Sequence, residues 1–175
     1  MAAQSAIIIR VAEAEPVIGS LREKFDHPVK LGVPAHITVL YPFEPPETID
    51  DAILRRVQRA VSETKPFEFR LGTIGRFPGV LYLAPEPSAP FEELTARVTS
   101  EFPDFPPYEG QYESIIPHMT ICFGDEGCAA DAQVQLLARL DETGPVLCRC
   151  RSLSGFENSS GSWKEIYAID LVAHD

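Results

Sequence analysis

Positive charge is scarce in this 175-residue chain: 15 Lys and Arg stand against 26 Asp and Glu, a formal net charge of −11. That balance disfavours binding to long nucleic acid, which rests on phosphate neutralisation by basic side chains. A small phosphate ligand held in a local site is still compatible with it. No stretch approaches the roughly 20 apolar residues that a membrane-spanning helix needs, so no membrane partner is expected. The opening segment, MAAQSAIIIRVAEAEPV, has no basic n-region, and its short apolar run reads as a first strand and not as a signal peptide. The cytoplasm is the expected compartment. Cysteine is sparse too: Cys122, Cys128, Cys148 and Cys150 are the only four. Cys148 and Cys150 share one face of a strand, too local for a useful disulfide, and reduced structural thiols are expected. With no C-x-x-C pair and no histidine at ligand spacing, neither a metal nor a cofactor is expected. No low-complexity tract or linker divides the chain.

What is present is ordinary globular material, 45% hydrophobic and 23% charged. The length fits one domain, or two small lobes packed intimately, spanning residues 1–175. Folding at this size buries roughly 70% of the unfolded surface, so the core needs no staples. Sixteen prolines against eleven glycines predict rigid corners and abrupt element ends.

Periodicity gives the elements. Residues 6–11 (AIIIRV) read as a buried strand. Residues 15–25 read as an amphipathic helix through Val17, Ile18, Leu21 and Phe25. A loop covers 26–35, and a strand covers 36–43. A helix capped by Thr48 or Asp50 runs to about residue 62. Residues 67–74 and 80–84 form a hairpin through a Gly/Pro corner. Residues 90–102 form a helix, 103–117 a proline-rich loop, 118–123 a strand and 131–140 a helix. The chain closes with strands over 146–156 and 165–172. The order β-α-β-α-β-β-α-β-α-β-β is that of an α/β domain, or of an α+β domain if pairing is mainly antiparallel. It reads as two similar halves, each with a helix, a proline-bearing loop, a strand opening on histidine, a helix and a hairpin.

Those two strands carry the chemistry. One reads His36-Ile37-Thr38-Val39 and the other His118-Met119-Thr120-Ile121. In a strand, residues i and i+2 face the same way. His36 therefore sits beside Thr38, and His118 beside Thr120, while the intervening apolar residues bury on the opposite face. Side by side, the two strands bring two imidazoles and two hydroxyls together. Imidazole, with an ordinary pKa near 6.5, suits acid and base work near neutral pH. One ring takes a proton from an attacking oxygen and the other protonates the departing one. The hydroxyls donate to the non-bridging oxygens of a phosphate. His27 and His174 lack such a setting and are expected to be solvated.

The paired His-x-Thr motifs resemble those of the 2H phosphoesterase superfamily, also called the LigT-like or 2′-5′ RNA ligase family. PAHITVLYPF resembles its first motif and IPHMTICFG its second, GRFPGVLYLAP its middle hairpin and SGSWKEIYAIDL its closing strand. The resemblance implies a bilobal α+β fold with two antiparallel sheets facing a central cleft and helices outside. It implies metal-independent hydrolysis of 2′,3′-cyclic nucleotide phosphates, or cleavage and joining of 2′,5′-phosphodiesters. His36 and His118 would be the acid and base, and Thr38 and Thr120 would hold the phosphate. For opening a cyclic phosphate to a 2′-phosphate, His36 is assigned as acid and His118 as base. The implied partner is a small nucleotide or an RNA end carrying a cyclic or 2′,5′ phosphate, bound by a monomer.

Supporting residues follow from position. Phe77, in the corner loop, and Tyr82 are candidates to stack on a base. Arg76 and Lys164 are candidates to place positive charge beside the phosphate. Tyr41, five residues past His36, faces away from the histidine side if the strand is regular. The loop over 103–117, with Tyr108 and Tyr112, is placed to wall the cleft. Two other classes remain open: a nucleotide-binding module without useful turnover, and a metal-dependent hydrolase using the histidines as ligands. The acidic balance makes ligation of long RNA the less favoured variant.

Overall fold

The computed structural model describes residues 2–172, which form eight strands and four α-helices. In chain order these are β1 (Ser5–Arg10), α1 (Glu15–Phe25), β2 (His36–Leu40), α2 (Asp51–Val61), β3 (Phe67–Phe77) and β4 (Val80–Glu86). They continue with α3 (Ala89–Glu101), β5 (Met119–Phe123), α4 (Glu126–Thr143), β6 (Val146–Cys150), β7 (Ser152–Glu157) and β8 (Lys164–Asp170). His174 lies outside the described residues.

The strands pair antiparallel in two four-stranded sheets, ordered β2-β1-β7-β8 and β5-β4-β3-β6. That settles the class as α+β. Edge strands β2 and β5 meet, so the two sheets join along a seam. Alternation decides what each face does. On β1, Ile7 and Ile9 enter the main core, while Ala6 and Ile8 turn to the opposite face with Phe156 of β7. Helix α1 buries Ile18, Leu21 and Phe25 against β5 and α4, and α3 packs on β2, where Thr95 Oγ1 donates to the Val39 carbonyl at 3.2 Å. The helices thus cover one side of the seam and leave the other open.

Two helix starts show why the chain breaks where it does. Asp50 accepts from the Ala52 and Ile53 amides and caps α2, and Asp125 accepts from the Cys128 amide and caps α4. The second cap starts α4 at Glu126, five residues before the start that periodicity indicates. The strand expected over 146–156 is two strands in different sheets: β6 pairs with β3, and after Arg151 the chain crosses to pair with β1. Nor are the halves of the sequence the halves of the structure. The β3-β4 hairpin, which follows the first histidine strand, joins the second one in its sheet. The β7-β8 hairpin returns to the first.

Candidate active site

His36 opens β2, and His118 immediately precedes β5. Each ring is fixed in the same way: Nδ1 of His36 lies 2.8 Å from the Pro34 carbonyl, and Nδ1 of His118 lies 2.7 Å from the Ile116 carbonyl. A carbonyl only accepts, so each Nδ1 carries the hydrogen and donates it two residues back. In the neutral ring Nε2 is then left with a free lone pair. The proline-bearing loops before both strands supply these carbonyls, which is what their matching positions do.

Both imidazoles and both hydroxyls, those of Thr38 and Thr120, line one cleft of about 1140 Å³ at the seam. The ladders explain the placement. Thr38 lies opposite Ile8, and Thr120 opposite Tyr82, on the open side of each sheet. Each strand then carries an irregularity: Leu40 pairs with Ile7 although Thr38 pairs with Ile8, and Cys122 pairs with Leu81 although Thr120 pairs with Tyr82. One extra residue per strand reverses the alternation beyond it. Tyr41 therefore lines the cleft, against the expectation from a regular strand, and so does Phe123. Both aromatics stand five residues after their histidine, so the repeat extends to His-x-Thr-x-x-aromatic, a pattern visible in HITVLY and HMTICF.

Burial holds the His36 pKa down to about 4, with the charges of Arg22 and His118 acting in the same sense. His118 is also lowered by burial. Both rings are neutral at rest near pH 7. Tyr108 adds a further hydroxyl. Burial pushes its phenol up, and that hydroxyl bonds to Thr38. Its backbone has φ 50° and that of Glu109 φ 57°, a left-handed pair without glycine. The Tyr108 amide, held 2.6 Å from the Tyr41 carbonyl, fixes this turn over the cleft.

Of the stacking candidates, Phe77 lines the cleft, its ring 5.2 Å from that of His118 and nearly perpendicular to it. Tyr82 does not. It is buried under Phe77, with ring centroids 4.6 Å apart, and lies across Gly75, where any β-carbon would collide with the ring. It braces Phe77 and His118 from below. Arg76 and Lys164 are also outside the cleft lining. Arg76 pairs with Leu81 on the helix-covered face and reaches Glu126 at 3.7 Å. Lys164 pairs with Glu157 in register, away from the cleft face that carries Phe156, and holds the Glu157 carboxylate at 3.3 Å. Trp163, one residue earlier, lines the cleft instead. Among the described residues no cluster of His, Cys, Asp or Glu has the makings of a metal site, and no helix is long and apolar enough to cross a membrane.

The sequence model of the 2′-5′ RNA ligase superfamily matches residues 10–159. The chain belongs to that superfamily. A Geobacillus kaustophilus protein named "Putative phosphoesterase" is 29% identical over 158 residues, 87% of this chain and 86% of that protein. A Bacillus cereus protein of the same name is 31% identical over 123 residues, 69% of this chain and 67% of that protein. Escherichia coli LigT solved with 3′-AMP superposes with a TM-score of 0.61 at 14% identity, covering 99% of this chain and 100% of that one. A Thermus thermophilus protein superposes with a TM-score of 0.61 at 17% identity, covering 98% and 100%. The fold is thus LigT-like, and membership of this family supports an enzyme of the phosphoesterase class.

Proposed function

We propose that this enzyme cleaves 2′,3′-cyclic nucleotide phosphates or 2′,5′-phosphodiesters, without a metal, by two-histidine acid–base catalysis. The observation that carries this reading is the matched tethering of the two rings, which leaves both Nε2 atoms and both threonine hydroxyls for one cleft. One Nε2 takes the proton of the attacking water as its oxygen bonds to phosphorus. The other, protonated, gives its proton to the leaving ribose oxygen as the P–O bond breaks. Thr38 and Thr120 donate to the non-bridging oxygens, where charge builds. His36 is the more depressed ring, so the proton rests more readily on His118. This favours His36 as base and His118 as acid, the reverse of the assignment expected for opening to a 2′-phosphate. Four free thiols fit a reducing cytoplasm, and the acidic balance fits small nucleotides or RNA ends as substrates.

Incubation with a panel of 2′,3′-cyclic nucleotides and 2′,5′-linked dinucleotides, with products separated by chromatography, tests the reading. Cleavage that persists in a chelator is expected. Binding without turnover would make the protein a nucleotide-binding module, and loss of activity to the chelator would make it a metal hydrolase.

The pH profile is a separate prediction. The productive free enzyme has one ring neutral and one protonated. As pH falls through about 4, His36 protonates and the base is lost. As pH rises through the His118 value, held below the ordinary 6.5, the acid is lost. The kcat/KM profile is therefore a bell with its maximum on the acidic side of pH 6.5. The bound anion favours both imidazolium forms, so the kcat profile lies at higher pH than that of kcat/KM. A kcat/KM maximum above pH 7.5 would contradict the assignment.

A further inference from the structure

The cleft has an unusual charge inventory for a site read as binding phosphate. Among the described residues no Lys or Arg lines it, whereas Asp26 and Glu113 do. The nearest buried cation, Arg22, is already held by Asp26 at 2.9 Å. Glu113 is exposed and has no ion-pair partner among the described residues. A diester carries one negative charge. A terminal phosphate monoester carries about −1.5 to −2 at pH 7. Hydroxyl and imidazole donors suffice for the first. For the second the open face offers only Arg10, which pairs in register with His36, is exposed outside the cleft lining and is already held by Glu165 at 3.4 Å.

The apolar lining is divided in two. On the β2 side of the seam, Ala6, Ile8 and Phe156 form a small cluster separate from the main core, edged by Tyr41 and Trp163. This floor is rigid: the Trp163 amide donates to the Leu31 carbonyl at 2.6 Å, and the Tyr41 and Trp163 rings meet edge-on at 6.1 Å. Gly32 permits the crossing. Its φ is 88°, and a β-carbon there would lie 2.6 Å from the Trp163 carbonyl oxygen. On the β5 side, Phe77, Val80 and Phe123 are neighbours in register and form a second floor. The imidazoles and hydroxyls lie between the two. The cleft volume, about 1140 Å³, exceeds the roughly 300–1,000 Å³ usual for a small-molecule pocket.

We infer that the cleft is built for a singly charged phosphodiester with a flat aromatic group on each side, one on the Trp163–Phe156 floor and one on the Phe77–Phe123 floor, and that it discriminates against extra terminal phosphates. The inference rests on the phosphodiester reading of the same cleft and names its substrate class: a dinucleoside monophosphate segment, favoured over a lone cyclic mononucleotide and over phosphorylated ends. No cation lines the cleft, and the one beside His36, Arg10, is committed to Glu165, so cation–phosphate pairing is not the basis of recognition. Stacking and hydroxyl donors supply it, and Glu113 repels added charge.

The test compares kcat/KM for three compounds: 2′,5′-adenylyl-adenosine, the same dinucleotide with a 5′-phosphate, and 2′,3′-cyclic AMP. The plain dinucleotide should exceed the cyclic mononucleotide by about tenfold or more in affinity, since stacking of one base alone is worth that much, and should exceed its 5′-phosphorylated form through charge repulsion. The penalty for the 5′-phosphate should shrink with salt and in Glu113→Gln. Trp163→Ala should lower the dinucleotide value about tenfold, chiefly through KM, and Trp163→Phe should restore most of it. A 5′-phosphate that is neutral or favourable would overturn the charge claim, and a cyclic mononucleotide equal to the dinucleotide would overturn the two-floor claim. Either result leaves two-histidine catalysis standing. No turnover of any of the three would remove both.

Discussion

His36→Ala and His118→Ala are each expected to lower kcat by about 10²–10⁴-fold, the range for loss of a positioned acid or base. The rings do not substitute for one another, because each is locked by its own backbone carbonyl and neither Nδ1 is free to turn inward. The double variant should lose less than the product of the two single losses, since an acid without a base completes little of the reaction. Nucleotide affinity should change far less than kcat, because Thr38, Thr120 and the aromatic floors persist. Thr38→Val and Thr120→Val should act on the transition state as well, by up to about 10²-fold. Steady-state kinetics with a binding assay separates these effects, and a thermal melt confirms that each variant folds. Either histidine variant retaining kcat within about threefold of the parent would remove that ring from the chemistry.

How much of this was legible in the sequence depends on the range of the rule used. The i, i+2 rule is local, and it placed His36 with Thr38 and His118 with Thr120 on one face each. The Gly/Pro corner likewise gave the β3-β4 hairpin, and capping chemistry narrowed the start of α2 to Thr48 or Asp50, of which Asp50 makes the bonds. What failed were inferences that assume a regular strand or a sequential partner. A regular strand would turn Tyr41 away from the cleft, but an irregular pairing adds one residue beyond Thr38, a feature decided by the neighbouring strand. The same step after Thr120 exposes Phe123, and only the alignment of the two motifs hints at it. Charge alone marks Arg76 and Lys164, yet their register partners, Leu81 and Glu157, turn them away from the cleft. Aromaticity alone marks Tyr82, but Gly75 opposite it makes a slot that the ring fills. Tyr108 and Tyr112 line the cleft, as expected of the 103–117 loop, but the left-handed turn that aims Tyr108 at Thr38 had no local signal, since it is held from outside by Tyr41.

Arg22→Ala should cost about 3–5 kcal/mol of stability, the largest single loss expected outside the main core. Arg22 and Asp26 are only 2% and 4% exposed, and Nε and Nη2 of Arg22 both donate to Asp26 Oδ2, at 3.2 and 2.9 Å. Removing the guanidinium strands a buried carboxylate. Burial already raises the Asp26 pKa above its ordinary value, with Arg22 opposing that rise. Without Arg22 the rise is larger, so the folded state binds the proton more tightly than the unfolded one. The stability of Arg22→Ala therefore falls as pH rises from about 4 through the folded value, and its deficit against the parent is greater at pH 7 than at pH 4. Replacing both partners by apolar residues, Arg22→Met with Asp26→Leu, should recover most of the stability, because neither desolvated charge remains. Activity should not recover with it. Arg22 Nη2 also donates to the Val33 carbonyl at 3.2 Å, and Glu15 Oε1 accepts from the Ala35 amide at 2.7 Å, so the same network holds the segment that delivers His36. Chemical denaturation at pH 4 and pH 7, beside kcat for all three proteins, reads the two roles separately. A single variant within about 1 kcal/mol of the parent at pH 7 would mean that the pair is a bystander, and full activity in the double variant would mean that the His36 segment positions itself.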